Sequence, residues 1–350
     1  MSDWLFEYGL FLAQVATLTT ALGLLIVLVA RLRGKEERSR LHIEELNTRY
    51  RSRQRRLRLA TMDKKQRKAM LKSFKKEDKR EAHAVGDGNE SGREQERRQR
   101  VWVLDFHGDI KASATPRLAE EVSAVLGVVV EGDEVVVRLE SPGGLVHAYG
   151  LAAAQLDRLR QAGVSTTVCV DKVAASGGYL MACCADRVRV APFAVIGSIG
   201  VVAQLPNIHR LLKKHDIDVE LLTAGRYKRT LTVLGENTEE GREKFAEDLE
   251  NTHDLFKRYV AERRPALDIE AVSTGEIWYG SEALGRGLAD AVGTSEAYLQ
   301  ERMQMARVLC LSLEKRRGLP ERLGLAVSAG VERGVQRLYE TLEASGWQRR

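Results

Sequence analysis

Residues 134–178 read EVVVRLESPGGLVHAYGLAAAQLDRLRQAGVSTTVCVDKVAASGG and decide the fold. Two apolar runs within this stretch, 134–140 and 164–170, have the length and the β-branched content of buried strands. The amphipathic stretch 145–163 between them has helical spacing and stops at a glycine. A strand, a helix and a second strand in this order predict a βαβ unit, and therefore an α/β fold with a parallel sheet.

The same alternation continues on both sides of this unit. It predicts further strands and further helices, the strands at 101–106, 187–192 and 217–225 and the helices at 115–129, 205–216 and 238–265. Thr238 precedes two glutamates and is typical of a helix N-cap. We therefore expect one globular domain over 101–300, followed by a helical C-terminal extension over 301–350.

The N-terminal part of the chain has the composition of a membrane anchor. Residues 8–30 carry no charge over 23 positions, and a helix of that length spans about 34 Å, more than the bilayer core of about 30 Å. A cleaved signal peptide would begin with basic residues and have a shorter apolar run, whereas this chain begins with Asp3 and Glu7. We predict a short segment over 1–7 and a retained transmembrane helix over 8–30.

Residues 31–100 carry most of the positive charge, with 24 Lys and Arg against 12 Asp and Glu. This composition predicts a basic, partly helical stalk and linker. Few aromatic residues and many interleaved acids disfavour a nucleic-acid partner, whereas anionic lipid headgroups beside the anchor suit such an arm. The basic flank that follows the apolar stretch predicts a cytoplasmic location for the rest of the chain.

The four cysteines have no metal-ligand spacing, and we interpret them as small buried residues. No metal ion or organic cofactor is expected.

Two glycine-containing loops carry the chemistry. SPGG at 141–144 and ASGG at 175–178 each follow a predicted strand or its end, and the carboxyl ends of parallel strands share one crevice. Backbone N–H groups of such glycines can stabilise a developing negative charge beside the hydroxyl of Ser176. Two ordinary βα turns are the alternative interpretation of this pattern.

No histidine is flanked as a general base would be. A buried lysine can take that role, because burial favours the neutral amine, which accepts a proton. Lys228 follows a predicted strand end in TAGRYKRTL. A lysine on a surface loop remains the alternative interpretation at this position.

The motifs SPGG, VAASGGYLMACCAD, IGSIGV and TAGRYKRTL occur in this order behind an apolar N-terminus and a basic arm. Together they resemble the signal peptide peptidase A family, membrane serine peptidases that use a Ser–Lys dyad. The resemblance covers almost the whole chain. It implies a crotonase/ClpP-like α/β fold of superhelically wound βαβ units, a homo-oligomeric ring, and a single-pass protein of the bacterial inner membrane. It also implies a periplasmic catalytic domain, on the opposite side from the one that the charges predict.

Carried over residue by residue, the resemblance implies that Ser176 is the nucleophile and Lys228 the general base. It implies that Gly143 and Gly177 are oxyanion donors and that Ser198 orients the lysine. The expected activity is hydrolysis of extended, hydrophobic peptides, such as remnant signal peptides or misfolded proteins, through an acyl-enzyme and without a cofactor. Two alternatives are a crotonase-type enzyme acting on acyl-CoA thioesters and a non-catalytic membrane scaffold.

Overall fold

The structure, a computed structural model, describes residues 39–86 and 99–315, together with Gln14, Thr17 and Leu18. Apart from these three residues, the predicted membrane helix lies outside the described residues, as do much of the predicted linker and residues 316–350 of the C-terminal extension. In the described part of the chain, no helix is both long and apolar enough to cross a membrane.

The helices are α1 (Leu46–Ala60), α2 (Lys64–Gly86), α3 (Thr115–Leu126), α4 (Val146–Gln161), α5 (Gly177–Ala182), α6 (His209–Lys214), α7 (Glu239–Arg263), α8 (Ile269–Val272), α9 (Gly280–Gly285) and α10 (Ser295–Met305). The strands are β1 (Ser39–Glu45), β2 (Arg100–His107), β3 (Glu134–Glu140), β4 (Ser165–Val170), β5 (Val173–Ala175), β6 (Arg187–Val190), β7 (Val195–Gly197), β8 (Ile277–Tyr279), β9 (Ala291–Val292) and β10 (Arg307–Lys315).

Seven strands form the main sheet in the order β1-β10-β2-β3-β4-β6-β9. The pairs from β10 to β9 are all parallel, which confirms the predicted α/β class. A smaller sheet has the order β5-β7-β8, with β5 and β7 parallel. A parallel sheet places the carboxyl ends of its strands along one edge. The SPGG loop leaves from that edge after β3, whereas the Ser176 turn follows β5 of the smaller sheet.

Both faces of the main sheet are buried, and alternate residues of each strand point to opposite faces. Trp102, Leu104 and Phe106 of β2 belong to the large core cluster, which also holds residues of α3, α4 and α5. Val101 and Val103 belong to a second cluster together with residues of α1 and α10. The near-continuous apolar runs of the central strands follow from this two-sided burial.

The start of the basic arm is part of the domain, and the prediction of a solvated stalk over 31–100 is wrong there. β1 lies beside β10 in the main sheet, and Leu46 is buried in the second cluster. The Asn47 side chain donates to the carbonyls of Met303 and Ala306 and accepts from the N–H of Val308. The predicted helical character of the arm is confirmed by α1 and α2.

Two further predictions of secondary structure are wrong. Residues 307–315 form β10, not a helix, because they fill the position between β1 and β2 in the sheet. The stretch predicted as a strand at 217–225 has no strand conformation, since its side chains are exposed and no described strand pairs with it. Residues His42–Ser312 contact one another closely enough to form one compact unit, which holds the site described below. The chain ends belong to a second unit.

Candidate active site

Ser176 occupies a sharp turn between β5 and α5. Its φ of 53° and ψ of −120° lie outside the regions that non-glycine residues favour. The turn is held in place because the Ser176 N–H donates to the carbonyl of Gly197 at 2.8 Å. The side chain is half-buried. A serine on a strained strand-to-helix turn is a common way to present a nucleophilic hydroxyl.

Ser198 lies beside Ser176. β5 and β7 are parallel neighbours with Ala175 opposite Gly197, so the next residue of each strand continues the same register. Ser198 has the same positive φ of 53°, and its N–H donates to the carbonyl of Glu276 at 2.6 Å. The two serines therefore follow paired strand ends with similar strained backbones.

The SPGG loop packs directly against this turn. The Ser141 N–H donates to the carbonyl of Val173 at 2.8 Å, and the Ala175 N–H donates to the carbonyl of Ser141 at 3.1 Å. A Cβ atom on Gly143 would lie 2.8 Å from Ser176 Cβ and 2.7 Å from the nitrogen of Gly177. Gly143 also has a φ of 90°, so only glycine fits this close approach.

The backbone N–H groups of the glycines around Ser176 differ in whether they already have a hydrogen-bond acceptor. Within the described residues, the N–H groups of Gly177 and Gly144 have no hydrogen-bond acceptor. The N–H of Gly143 is not free, because it donates to Ser141 Oγ at 3.1 Å. Gly143 therefore lies where the sequence places it, but its N–H is directed to Ser141 and not left available as an oxyanion donor.

Lys228 is not brought into the site by the single chain. Its side chain is exposed on a turn, in which the backbone N–H of Lys228 donates to the carbonyl of Gly225 at 3.1 Å. In the described part of the chain, no hydrogen bond or ion pair joins its amine to Ser176 or Ser198. The prediction of a buried amine is wrong for the single chain, because the segment 201–229 is largely exposed; Val202 and Leu222, for example, are each 90% exposed.

Sequence analysis missed Tyr149. This side chain is fully buried, and a Cβ atom on Gly177 would lie 2.3 Å from its Cγ. Its hydroxyl lies 2.6 Å from Ser141 Oγ and donates to the carbonyl of Asp109 at 2.7 Å. The apolar face of α4, with Tyr149, Ala152 and Leu156 at helical spacing, was the available signal, but it indicates burial and not chemistry.

The described histidines and potential metal ligands are the other groups to consider beside Ser176. His147, on the first turn of α4, is exposed, and no histidine within the described ranges hydrogen-bonds to Ser176. Among the described residues, no group of three or more His, Cys, Asp and Glu side chains could hold a metal ion.

Comparison with known proteins identifies the family. Residues 3–156 match Peptidase family S49 N-terminal, and residues 158–309 match Peptidase family S49. The chain is 47% identical to the probable protease SohB of Haemophilus influenzae over 93% of each chain. It is 50% identical to a probable protease SohB of Buchnera aphidicola over 69% of this chain and 72% of that protein.

A solved structure that the chain matches is a mutant of the 1510-N membrane-bound stomatin-specific protease in complex with a substrate peptide. It is 13% identical, has a TM-score of 0.40, and covers 66% of this chain and 99% of its own. On the sequence matches, the chain belongs to peptidase family S49, serine peptidases that use a Ser–Lys dyad.

Proposed function

We propose that this chain is a membrane-anchored serine endopeptidase that cleaves extended, hydrophobic peptides with Ser176 as its nucleophile. The observation that carries the proposal is the strained turn at Ser176, which has the free N–H of Gly177 on one side and the SPGG loop against it. A nucleophile and N–H donors in one crevice are what acyl transfer requires.

In the proposed reaction, Ser176 Oγ attacks the peptide carbonyl while Lys228 accepts the hydroxyl proton. The oxyanion forms beside the glycine N–H groups, and its collapse breaks the C–N bond as Lys228 gives the proton to the leaving amine. A water molecule, deprotonated by the same amine, then hydrolyses the acyl-enzyme and regenerates Ser176. Ser198, which neighbours Ser176, would orient the amine by hydrogen bonding.

Gly177 supplies one oxyanion donor in this proposal, and the SPGG loop supplies the second. Gly143 is the residue that the family resemblance implies, and its N–H would have to share its hydrogen with Ser141 Oγ or turn away from it. The free N–H of Gly144 is the other donor that the loop offers. Each such donor contributes about 3 kcal/mol to the stability of the transition state.

The proposed role of Lys228 requires that its amine be buried, and we propose that a second copy of the chain buries it within a homo-oligomeric ring. The segment that carries Lys228 exposes many large apolar side chains, namely Val202, Leu205, Ile208, Leu211, Ile217, Val219, Leu221, Leu222 and Tyr227. A contiguous exposed apolar patch is typical of an interaction site, and we propose that these side chains form one. Burial in the assembly would exclude water from the amine and favour its neutral form.

Exposed apolar side chains beside the SPGG loop support a hydrophobic substrate. Ile110, Leu145 and Val146 are exposed beside the SPGG loop, and the Leu145 N–H donates to the Ile110 carbonyl at 2.8 Å. The small residues Ala174, Ala175 and Gly178 are themselves buried, and the space beside Gly178 is taken by the Ser141 carbonyl, so an extended substrate would lie on the exposed side of Ser176. Remnant signal peptides and unfolded segments of misfolded proteins have this extended, apolar character.

The proposal also covers the fold family and the attachment of the protein to the membrane. The main sheet with a second small sheet near the nucleophile fits the crotonase/ClpP-like superhelix that the family resemblance implies. We propose that residues 8–30 anchor the protein in the bacterial inner membrane as a single pass. The basic flank favours a cytoplasmic catalytic domain and the family resemblance a periplasmic one, so protease accessibility in intact spheroplasts distinguishes the two.

The α1–α2 hairpin offers a second contact with the membrane. Exposed lysines recur at helical spacing on the face of α2 opposite Met70 and Phe74, namely Lys65, Lys68, Lys72, Lys75 and Lys79. The acids of the hairpin whose side chains the structure describes are already engaged, since Glu77 and Asp78 pair with Arg55 and Asp63 accepts from the N–H groups of Lys65 and Gln66. The lysines therefore face anionic headgroups without local neutralisation.

The test is hydrolysis of a fluorogenic hydrophobic peptide by the full chain in detergent. Ser176→Ala and Lys228→Ala should each abolish turnover while leaving thermal unfolding unchanged. Lys214→Ala is the matched control, because it removes another exposed lysine of the same region without touching the dyad. Full activity of Lys228→Ala would disprove the dyad, and full activity of Ser176→Ala would disprove the nucleophile.

A further inference from the structure

A buried chain of hydrogen bonds runs beneath the SPGG loop. The Gly143 N–H donates to Ser141 Oγ at 3.1 Å, Ser141 Oγ lies 2.6 Å from the Tyr149 hydroxyl, and that hydroxyl donates to the Asp109 carbonyl at 2.7 Å. The tyrosine has only one hydrogen, which goes to Asp109. Ser141 must therefore donate to Tyr149, and all the hydrogen bonds of the chain point in the same direction.

The packing around this chain leaves its members no freedom to move. Ser141 and Tyr149 are both fully buried. A Cβ atom on Gly108 would lie 2.4 Å from both Ser141 Oγ and the Tyr149 hydroxyl oxygen, and a Cβ on Gly178 would lie 2.5 Å from the Ser141 carbonyl oxygen. The two side chains thus fill the space beside Gly108 and Gly178, where no Cβ atom fits.

Tyr149 contacts both sides of the proposed oxyanion site. Its ring lies against Gly177, where an added Cβ would be 2.3 Å from Cγ. Its hydroxyl reaches the Gly143 peptide through Ser141. One side chain therefore connects the residue after the nucleophile with the loop that faces it.

We propose that Tyr149 and Ser141 are positioning residues for catalysis, which set the orientation of the SPGG peptides relative to Ser176. The inference rests on the proposed function and deepens it. A donor must lie within a few tenths of an ångström of its productive position, and misplacement by about 1 Å can reduce the rate about 100-fold. Breaking the chain at Tyr149 removes no group that touches the substrate, but it removes the hydrogen bond that holds the loop in position.

The titration behaviour of the tyrosine agrees with this role. Burial raises the pKa of Tyr149 above its ordinary value, against the smaller opposite effect of the Ser141 hydrogen bond. The hydroxyl therefore remains protonated at neutral pH, and its donation to Asp109 is maintained.

Tyr149→Phe in the full chain tests the inference, because it keeps the ring against Gly177 and removes only the hydroxyl. The matched control is Tyr179→Phe, since Tyr179 is equally buried and its hydroxyl donates to the Leu288 carbonyl at 3.1 Å, away from the loop. We expect Tyr149→Phe to lower kcat by about 10- to 100-fold with KM within about twofold. Tyr179→Phe should leave both constants unchanged.

Affinity for a peptide aldehyde gives a readout that loss of stability alone would not move. The aldehyde forms a hemiacetal with Ser176 and places its oxygen where the oxyanion forms, so its inhibition constant should rise by the same factor as kcat falls. Ser141→Ala should show the same selective loss and serves as the second variant if Tyr149→Phe does not fold.

The possible results separate the inference from the proposed function. If hydrolysis depends on Ser176, and Tyr149→Phe and Ser141→Ala keep the wild-type kcat and aldehyde affinity, the positioning role is wrong while the function stands. The positioning role would also be wrong if Tyr149→Phe and Tyr179→Phe lost equal activity, each in proportion to the fall in its folded fraction. A wild-type protein without Ser176-dependent hydrolysis would overturn the function and this inference together.

Discussion

Replacing Gly177 by alanine should damage both stability and turnover, because the new methyl group has no space. Its Cβ would lie 2.3 Å from Cγ and 2.8 Å from Cδ1 of Tyr149, whereas carbon atoms in contact are ordinarily about 3.5–4.0 Å apart. The buried Tyr149 ring or the start of α5 must therefore shift by more than about 1 Å. Overpacking of this kind costs about 1–3 kcal/mol of unfolding free energy.

The same shift moves the N–H of residue 177 and the backbone of Ser176, so we expect kcat to fall about 100-fold. The assay is peptide hydrolysis by the full chain, with chemical unfolding followed in parallel. Gly150→Ala is the matched control on α4, where nothing lies within 4 Å of an added Cβ. It should keep full activity and gain about 0.5–1 kcal/mol of stability. Wild-type kcat and stability in Gly177→Ala would refute the packing described here.

Three further variants test the fold and its electrostatics. Burial alone would raise the pKa of Asp157, but hydrogen bonds from Arg263 and Tyr259 and the charge of Arg263 outweigh it and hold that pKa below its ordinary value. The ionised carboxylate therefore stabilises the fold above about pH 4, and this stability is lost as the pH falls through the lowered pKa. Asp157→Asn should flatten the dependence of the unfolding free energy on pH between about pH 5 and pH 2. An unchanged dependence would contradict the pairing of Asp157 with Arg263. Leu311→Ala should cost about 2–5 kcal/mol by chemical unfolding, because the side chain lies in the large core cluster; a loss below about 0.5 kcal/mol would argue against β10. Leu46→Ala should cost a similar amount and increase amide exchange in α1, since it removes the contact that docks the arm; unchanged exchange would mean that α1 does not dock.

The elements that could be predicted are those whose residues alone specify them. The apolar runs that became β2, β3 and β4 are buried on both faces, so hydrophobicity over six to eight residues was a sufficient signal. The N-cap at Thr238 was also found, because its side chain accepts from the Gly241 N–H at 3.1 Å as the sequence pattern indicates. The position of the SPGG loop followed from the topology of a parallel sheet, whereas Ser176 follows β5 of the smaller sheet, which the sequence did not indicate.

The elements that were missed depend on partners distant in sequence. β10 is a strand because β1 and β2 flank it, and β1 itself is hidden in a highly charged stretch. The stretch 217–225 alternates like a strand, but no strand in the described part of the chain pairs with it. The hydrogen-bond chain through Tyr149 joins α4 with the loops after β2 and β3, and no local pattern records such a contact.

Lys228 shows the same dependence at the site itself. The family resemblance implies Lys228 as the general base, but a single chain leaves it exposed. The groups that would pack around its amine belong to the assembly that we propose.

A structure of the full chain in its assembled form, with a peptide aldehyde bound, tests the dyad most directly. We predict a covalent bond from Ser176 Oγ to the inhibitor and a distance of about 3 Å from Lys228 Nζ to that oxygen, the reach of a proton transfer. An inhibitor-bound assembly in which the Lys228 amine still faces solvent would contradict the assignment of Lys228 as the general base.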